Sequence, residues 1–145
     1  MSKVPSVNLA DFLSNDESRK QKFINEIGNA YETIGFVALK GHFLDDELVD
    51  NLYKEIKNFF DLPTEVKEKY EIPGIGGQRG YVSFGKESAK GKKEGDLKEF
   101  WHFGQYVDAD SKYAKEYPDN VEVSELPKFN EVGKQTYQML EKTAK

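Results

Sequence analysis

The sequence predicts an α+β fold, built from amphipathic helices with short strands between them. Three observations point there. Apolar residues recur at spacings of three and four in separate stretches, the period of a helix buried on one face. Between these stretches lie short apolar runs of strand length. Gly and Pro punctuate the joins between the patterned segments.

The elements follow in order. Val7 to Leu9 reads as an opening strand. Asp16 to Ser18 offer N-caps for a first long helix, because their short polar side chains can accept from its free N–H groups. Phe23, Ile27, Ala30, Tyr31 and Ile34 form its inner face, and Gly35 ends it. Phe36, Val37, Ala38 and Leu39 are apolar on both faces, which predicts a strand buried on both sides. Gly41-His42 turns the chain. Asp45 and Asp46 place acid at the start of a second helix, where the macrodipole favours it. Leu48, Leu52, Ile56, Phe59 and Phe60 make its inner face. Pro63 stops that helix, and a shorter one restarts through Lys69.

A glycine-rich stretch over 73–80 leads to a short strand over 81–84. Residues 85–96 are polar. A second strand is predicted over 97–107, aromatic at Phe100, Trp101, Phe103 and Tyr106. A loop with Pro118 and a turn at Asp119-Asn120 follows. Ser124 is a cap candidate for the last helix, with Pro127 near its first turn. Phe129, Val132, Thr136, Tyr137, Leu140 and Ala144 form its stripe, which is still running at Lys145 with no Gly or Pro to close it.

Composition excludes several classes. A length of 145 residues suits one domain. The 21 basic and 26 acidic residues give a net charge of −5, which lacks the basic excess expected of a nucleic-acid or anionic-membrane surface. The absence of Cys excludes disulfide scaffolds, thiolate metal sites and thiol nucleophiles. No apolar run approaches the ~20 residues needed to span a bilayer, and no signal-peptide pattern opens the chain, so a cytoplasmic protein is expected.

Each candidate site has a functional and an ordinary reading. Gly74 to Gly80 suggests a phosphate loop, but no Gly-Lys-Ser/Thr follows, and the stretch leads into a strand rather than a helix. His42 and His102 are the only imidazoles, and neither has an acid two residues on, so no metal ligand is assigned. Arg79 is either a bidentate clamp for a carboxylate or a solvated surface residue. Tyr81 presents either a substrate-facing hydroxyl or a plain strand aromatic. Lys86, Lys90, Lys92 and Lys93 are offset by Glu87, Glu94 and Asp96, which reads as a solvated loop. No Ser/His/acid arrangement is assignable, so a serine hydrolase is not supported.

Several segments together resemble one family. Val4-Pro5-Ser6-Val7-Asn8-Leu9 is similar to the Pro-hydrophobic-Asp-Leu opening of the isopenicillin N synthase-like Fe(II)/2-oxoglutarate oxygenases. Ile34-Gly35-Phe36-Val37 resembles their helix-to-strand segment, and Lys40-Gly41-His42 falls at their His-containing turn. Phe59-Phe60-Asp61-Leu62-Pro63, followed by Glu65, Lys67 and Tyr70, resembles their Phe-Phe-x-Leu-Pro-x-Glu-x-Lys signature. Arg79-Gly80-Tyr81 matches the Gly-Tyr that follows, and Asp96-Leu97-Lys98-Glu99 the Asp-x-Lys-Glu strand. Two departures, Asn8 for the usual Asp and Phe43 where Gly often follows the His, bear on local geometry.

The resemblance implies a helical N-terminal preface plus the first strands of a double-stranded β-helix (jelly roll), incomplete in this chain. Residues 1–145 would be the N-terminal domain of a non-haem dioxygenase, with the catalytic jelly-roll half absent. The complete protein would use Fe(II) and usually 2-oxoglutarate to oxidise a small-molecule substrate by hydroxylation, desaturation or ring closure. The metal ligands would lie outside this chain, which would hold no catalytic residue, bind no cofactor and be inactive alone. Arg79, Tyr81, Phe84 and Trp101 would line the substrate pocket, with Arg79 on a substrate carboxylate. The missing C-terminal half would be the chain's partner. The alternative is a non-catalytic module that binds a partner, or itself, through the uncovered stripe of the last helix.

Overall fold

Asn8 decides how the chain begins in the computed structural model, which describes residues 3–87 and 95–145. The predicted opening strand runs only over β1 (Ser6–Asn8). It stops there because the Asn8 side chain accepts from Ala10 N at 3.0 Å and starts the short helix α1 (Leu9–Phe12). Asp16 then caps α2 (Glu17–Thr33), accepting from Ser18 N and Arg19 N at 2.9 and 3.3 Å. β2 (Ala38–Lys40) lies parallel to β1, with Val7 opposite Leu39. Val7, Leu9 and Phe23 form a core with Ile27, Leu39 and Phe43 against it.

Two expectations fail here. The run over 36–39 is not a strand buried on both sides: Phe36 is 70% exposed, and the two outer residues of β2 face solvent. A two-stranded pair has no second layer to cover its far face, so of this run Val37 and Leu39 pack against the Val7–Phe23 core and the others do not. Tyr31, expected on the inner face of α2, is exposed. Phe23 and Ala30 alone are fully buried on that helix.

These elements, with Lys142–Lys145, make one compact unit; Asp46–Glu141 make a second. The second holds α3 (Asp46–Phe60), α4 (Thr64–Lys67) and a following 3-10 turn (Glu68–Tyr70). β3 (Gly80–Val82) pairs antiparallel with β4 (Phe100–His102), Tyr81 opposite Trp101. α5 (Pro127–Ala144) begins on Pro127, whose fixed φ suits a first helical position. The core is aromatic: Phe59, Tyr70, Tyr81, Val123 and Phe129 are buried together. Phe59 stacks on Phe129 at 5.1 Å and meets the Trp101 ring edge-on at 4.7 Å. Among the described residues no helix is long and apolar enough to cross a membrane.

The long strand expected over 97–107 shortens to three residues, and Leu97 is 94% exposed. Asn120 explains the early end. Its side chain accepts from Gly104 N at 2.7 Å and donates to Gly104 O at 3.0 Å, taking both groups that a ladder would need. Ser124 does not cap α5; its hydroxyl sits 2.9 Å from the Tyr70 hydroxyl. The predicted Lys90, Lys92, Lys93 and Glu94 run lies outside the described residues. Of its flanks, exposed Lys86 pairs with Glu71 at 3.4 Å.

Gly80 is required by both conformation and space. Its φ is +77°, and a Cβ there would stand 2.5 Å from the Tyr70 carbonyl oxygen. Gly80→Ala is expected to lower stability by at least about 1 kcal/mol, read as a lower urea midpoint with an unchanged slope. An unchanged midpoint would contradict this packing.

Candidate functional site

A groove of about 580 Å³ opens in the second unit. Leu52 and Ile56 of α3, Trp101 and Phe103, and Tyr137 and Leu140 of α5 flank it. It touches five consecutive residues, 99 through 103. Strand side chains alternate between faces, so a groove that meets them all runs along the edge of β4. β3 holds the opposite edge, and the sheet has no third strand among the described residues. Two buried polar atoms beside the groove lack a partner, Trp101 Nε1 and Thr136 Oγ1. Gly133 allows the close packing below: the Phe103 ring occupies the place where its Cβ would stand.

A charged network anchors the start of β4. Lys67 Nζ donates to both Glu99 carboxylate oxygens, at 3.0 and 2.8 Å, and to the Phe60 carbonyl at 3.3 Å. Tyr81, 1% exposed, donates its hydroxyl to Glu99 at 2.5 Å. Burial first, then the Glu99 hydrogen bond, pushes the Tyr81 phenol well above its usual range. Burial pushes the Glu99 carboxyl up, but the Lys67 and Tyr81 hydrogen bonds outweigh it and hold the group below the usual carboxylate range. Glu99 is therefore ionised beside a neutral phenol at physiological pH.

The four sequence-predicted pocket residues do not converge on one surface. Trp101 lines the groove. Arg79 is buried, at 8% exposure, which rules out the solvated reading. Its Nη1 donates to Gln78 O at 2.7 Å, and no carboxylate among the described residues pairs with it. Its Nε is buried without a partner, and the guanidinium lies where a Cβ on Gly104 would be. The Tyr81 hydroxyl is taken by Glu99, and Phe84 stands 59% exposed. The glycine-rich loop borders another cavity of about 460 Å³, whose charged lining is Glu68, Glu71 and Glu87 against the single cation Lys86, an acidic balance that does not suit a phosphate.

His102 Nδ1 lies 2.5 Å from the Gly77 carbonyl and ties that loop to β4. Among the described residues no group of three His, Asp or Glu side chains is placed to hold a metal ion. Sequence reasoning missed Lys67, Glu99 and Asn120 as organisers. Lys67 and Glu99 stand 32 residues apart, beyond any local period, and only their presence in the two resemblance motifs marked them.

Comparison with known proteins gives consistent likenesses. The family described as "non-haem dioxygenase in morphine synthesis N-terminal" matches residues 4–125. A 2-oxoglutarate-dependent dioxygenase of Aspergillus flavus is 38% identical over 87 residues, which is 59% of this chain and 24% of that protein. A 1-aminocyclopropane-1-carboxylate oxidase of Dictyostelium discoideum is 34% identical over 110 residues, 74% of this chain and 29% of the oxidase. The crystal structure of a 2OG-Fe(II) oxygenase family protein from Caulobacter crescentus superposes with a TM-score of 0.79 at 34% identity, over 97% of this chain and 44% of the other. The chain thus spans less than half the length of each of these relatives.

Proposed function

The chain belongs to the non-haem dioxygenase N-terminal family, and from that premise we propose that it is the substrate-pocket-contributing N-terminal part of an Fe(II)/2-oxoglutarate-dependent oxygenase. The parent protein would oxidise a small organic molecule by hydroxylation, desaturation or ring closure. Fe(II) and 2-oxoglutarate would bind in a jelly-roll portion outside residues 1–145, and this chain alone would be inactive. The single observation that carries the reading is the match over nearly the whole chain to less than half of a solved oxygenase.

The chain's own residues would act in distinct ways. The Arg79 guanidinium, buried without an acidic partner, would take a substrate carboxylate as a bidentate donor. Trp101 at the groove and exposed Phe84 away from it would each offer an apolar surface to the substrate only once the rest of the parent protein completes the pocket. Tyr81 would serve the same pocket by holding Glu99, and with it β4. A second reading is favoured by the 52% exposure of Leu140 at the groove: a non-catalytic module that binds a partner or itself through α5.

The test begins with the intact mass of the protein in its source cells and peptide mapping of any species above 16.6 kDa. A longer species carrying a His-x-Asp pair and a distant His, which releases succinate from 2-oxoglutarate with Fe(II) and O₂, is expected. The purified 145-residue chain should release none. Succinate from the short chain would overturn the reading. A native species of 16.6 kDa would move the binding-module reading to first place.

A further inference from the structure

We propose that Gly104 and Asn120 are positioning residues for Arg79, together forming a seat that fixes its guanidinium in one orientation for a carboxylate. That the ligand is a carboxylate rests on the reading above; the seat stands on its own geometry. Gly104 has no left-handed φ, so space alone demands glycine there. A Cβ on Gly104 would fall on the Arg79 guanidinium, nearest to Cζ, then to Nε, then to Nη2. At so short a range, an atom in the guanidinium plane meets a nitrogen before the central carbon. A point nearest Cζ therefore lies over the face, so the buried Gly104 backbone covers one face of the group.

The seat is itself held. Asn120 brackets Gly104, accepting from its N at 2.7 Å and donating to its O at 3.0 Å, and it reaches Gln105 O at 3.4 Å. Arg79 is tied a second time where Nη1 donates to Gln78 O at 2.7 Å. With one face covered and one nitrogen tied, the fork cannot turn without displacing Gly104. The restraint shows at Nε, which is buried without an acceptor. A guanidinium free to turn would carry that donor to water or to a carbonyl. A group already fixed loses little further freedom when a ligand arrives. A carboxylate, planar with two acceptors, matches a fixed fork.

The chain has two arginines, Arg19 and Arg79, so arginine-selective isotope labelling gives two Nε–H signals in its NMR spectrum. Arg19, half exposed and paired with Asp11, is the internal reference. The probe is sodium formate, with sodium chloride at equal ionic strength as its control. In the wild-type chain the Arg79 Nε–H should exchange with water at least about 10-fold more slowly than that of Arg19, and formate but not chloride should shift its signal. Asn120→Ala should bring the two exchange rates within about 3-fold of each other. It should also weaken formate binding about 10-fold, the factor lost with roughly one hydrogen bond.

Asn130→Ala is the matched control. Asn130 brackets Val123 in the same unit as Asn120 brackets Gly104, at 2.8 and 3.0 Å. A general loss of structure would appear in both variants, and their urea midpoints are measured alongside. Arg79 signals that change equally in the two variants would overturn the seat. Equal wild-type exchange rates for Arg79 and Arg19 would overturn it with no variant needed. A formate shift and an Arg79 exchange rate that Asn120→Ala leaves unchanged would overturn the seat and leave the carboxylate reading standing. A wild-type signal that formate does not move, with exchange freed by Asn120→Ala alone, would support the seat and overturn the carboxylate reading.

Discussion

Lys67→Met is expected to destabilise the second unit by about 3–5 kcal/mol at pH 7, because it leaves a buried carboxylate without its cation. The Lys67 and Glu99 side chains are only 7% and 18% exposed, so water replaces the lost partner only in part. The Phe60 carbonyl at the end of α3 loses a donor in the same step. The pH dependence separates this from a simple packing loss. In the wild type the Glu99 carboxyl is held below its usual range. Its contribution is complete above the ordinary Glu pKa of about 4.3 and is lost as pH falls through the lower folded-state value.

In the variant the balance reverses. Without the cation, burial dominates and raises the Glu99 carboxyl, so the cost is greatest at neutral pH and is relieved as acid protonates it. The gap in urea midpoint between wild type and variant should therefore narrow from pH 7 toward pH 4. Adding Glu99→Gln to the variant should recover part of the loss at pH 7, since the pair is coupled. The measurement is urea unfolding followed by Trp101 emission. A gap that stays constant with pH would show that charge at Glu99 is not what Lys67 balances.

This pair also marks where sequence reading stops. The long helices were legible because their signals are local. Asp16 caps α2 as its residue type suggests, and the apolar spacing of α3 and α5 places Phe59, Phe129 and Val132 inward. Strand extents were not legible, because they depend on partners far along the chain. The aromatic run around Trp101 looks like one long strand until the Asn120 side chain takes both backbone groups of Gly104. The run from Phe36 looks doubly buried, but among the described residues β1 is its only strand partner. At the candidate site, Trp101 was singled out by the family resemblance, and the structure places it at the groove. The guanidinium of Arg79 was readable as a carboxylate clamp or a surface group, and the structure buries it without either solvent or a carboxylate.

Phe59→Ala carries the other large effect. Phe59 has no exposed surface and meets Phe60, Tyr70, Tyr81, Trp101 and Phe129 ring to ring. Truncation removes the ring on which the strand pair, the 3-10 turn and α5 all pack, and those rigid aromatic neighbours cannot collapse into the space. A buried Phe→Ala change costs about 3–5 kcal/mol, a large part of the 5–15 kcal/mol typical of a whole domain. The same substitution at Phe84, which is 59% exposed, should move stability by no more than about 0.5 kcal/mol. The two variants share a side chain and a unit, so only burial distinguishes them. Urea unfolding followed at Trp101, 4.7 Å from the Phe59 ring centre, reads both. Equal midpoints would mean that the aromatic cluster does not carry this unit's stability. A loss confined to Phe59→Ala would fix the core at the helix–strand junction that also sets the wall of the groove.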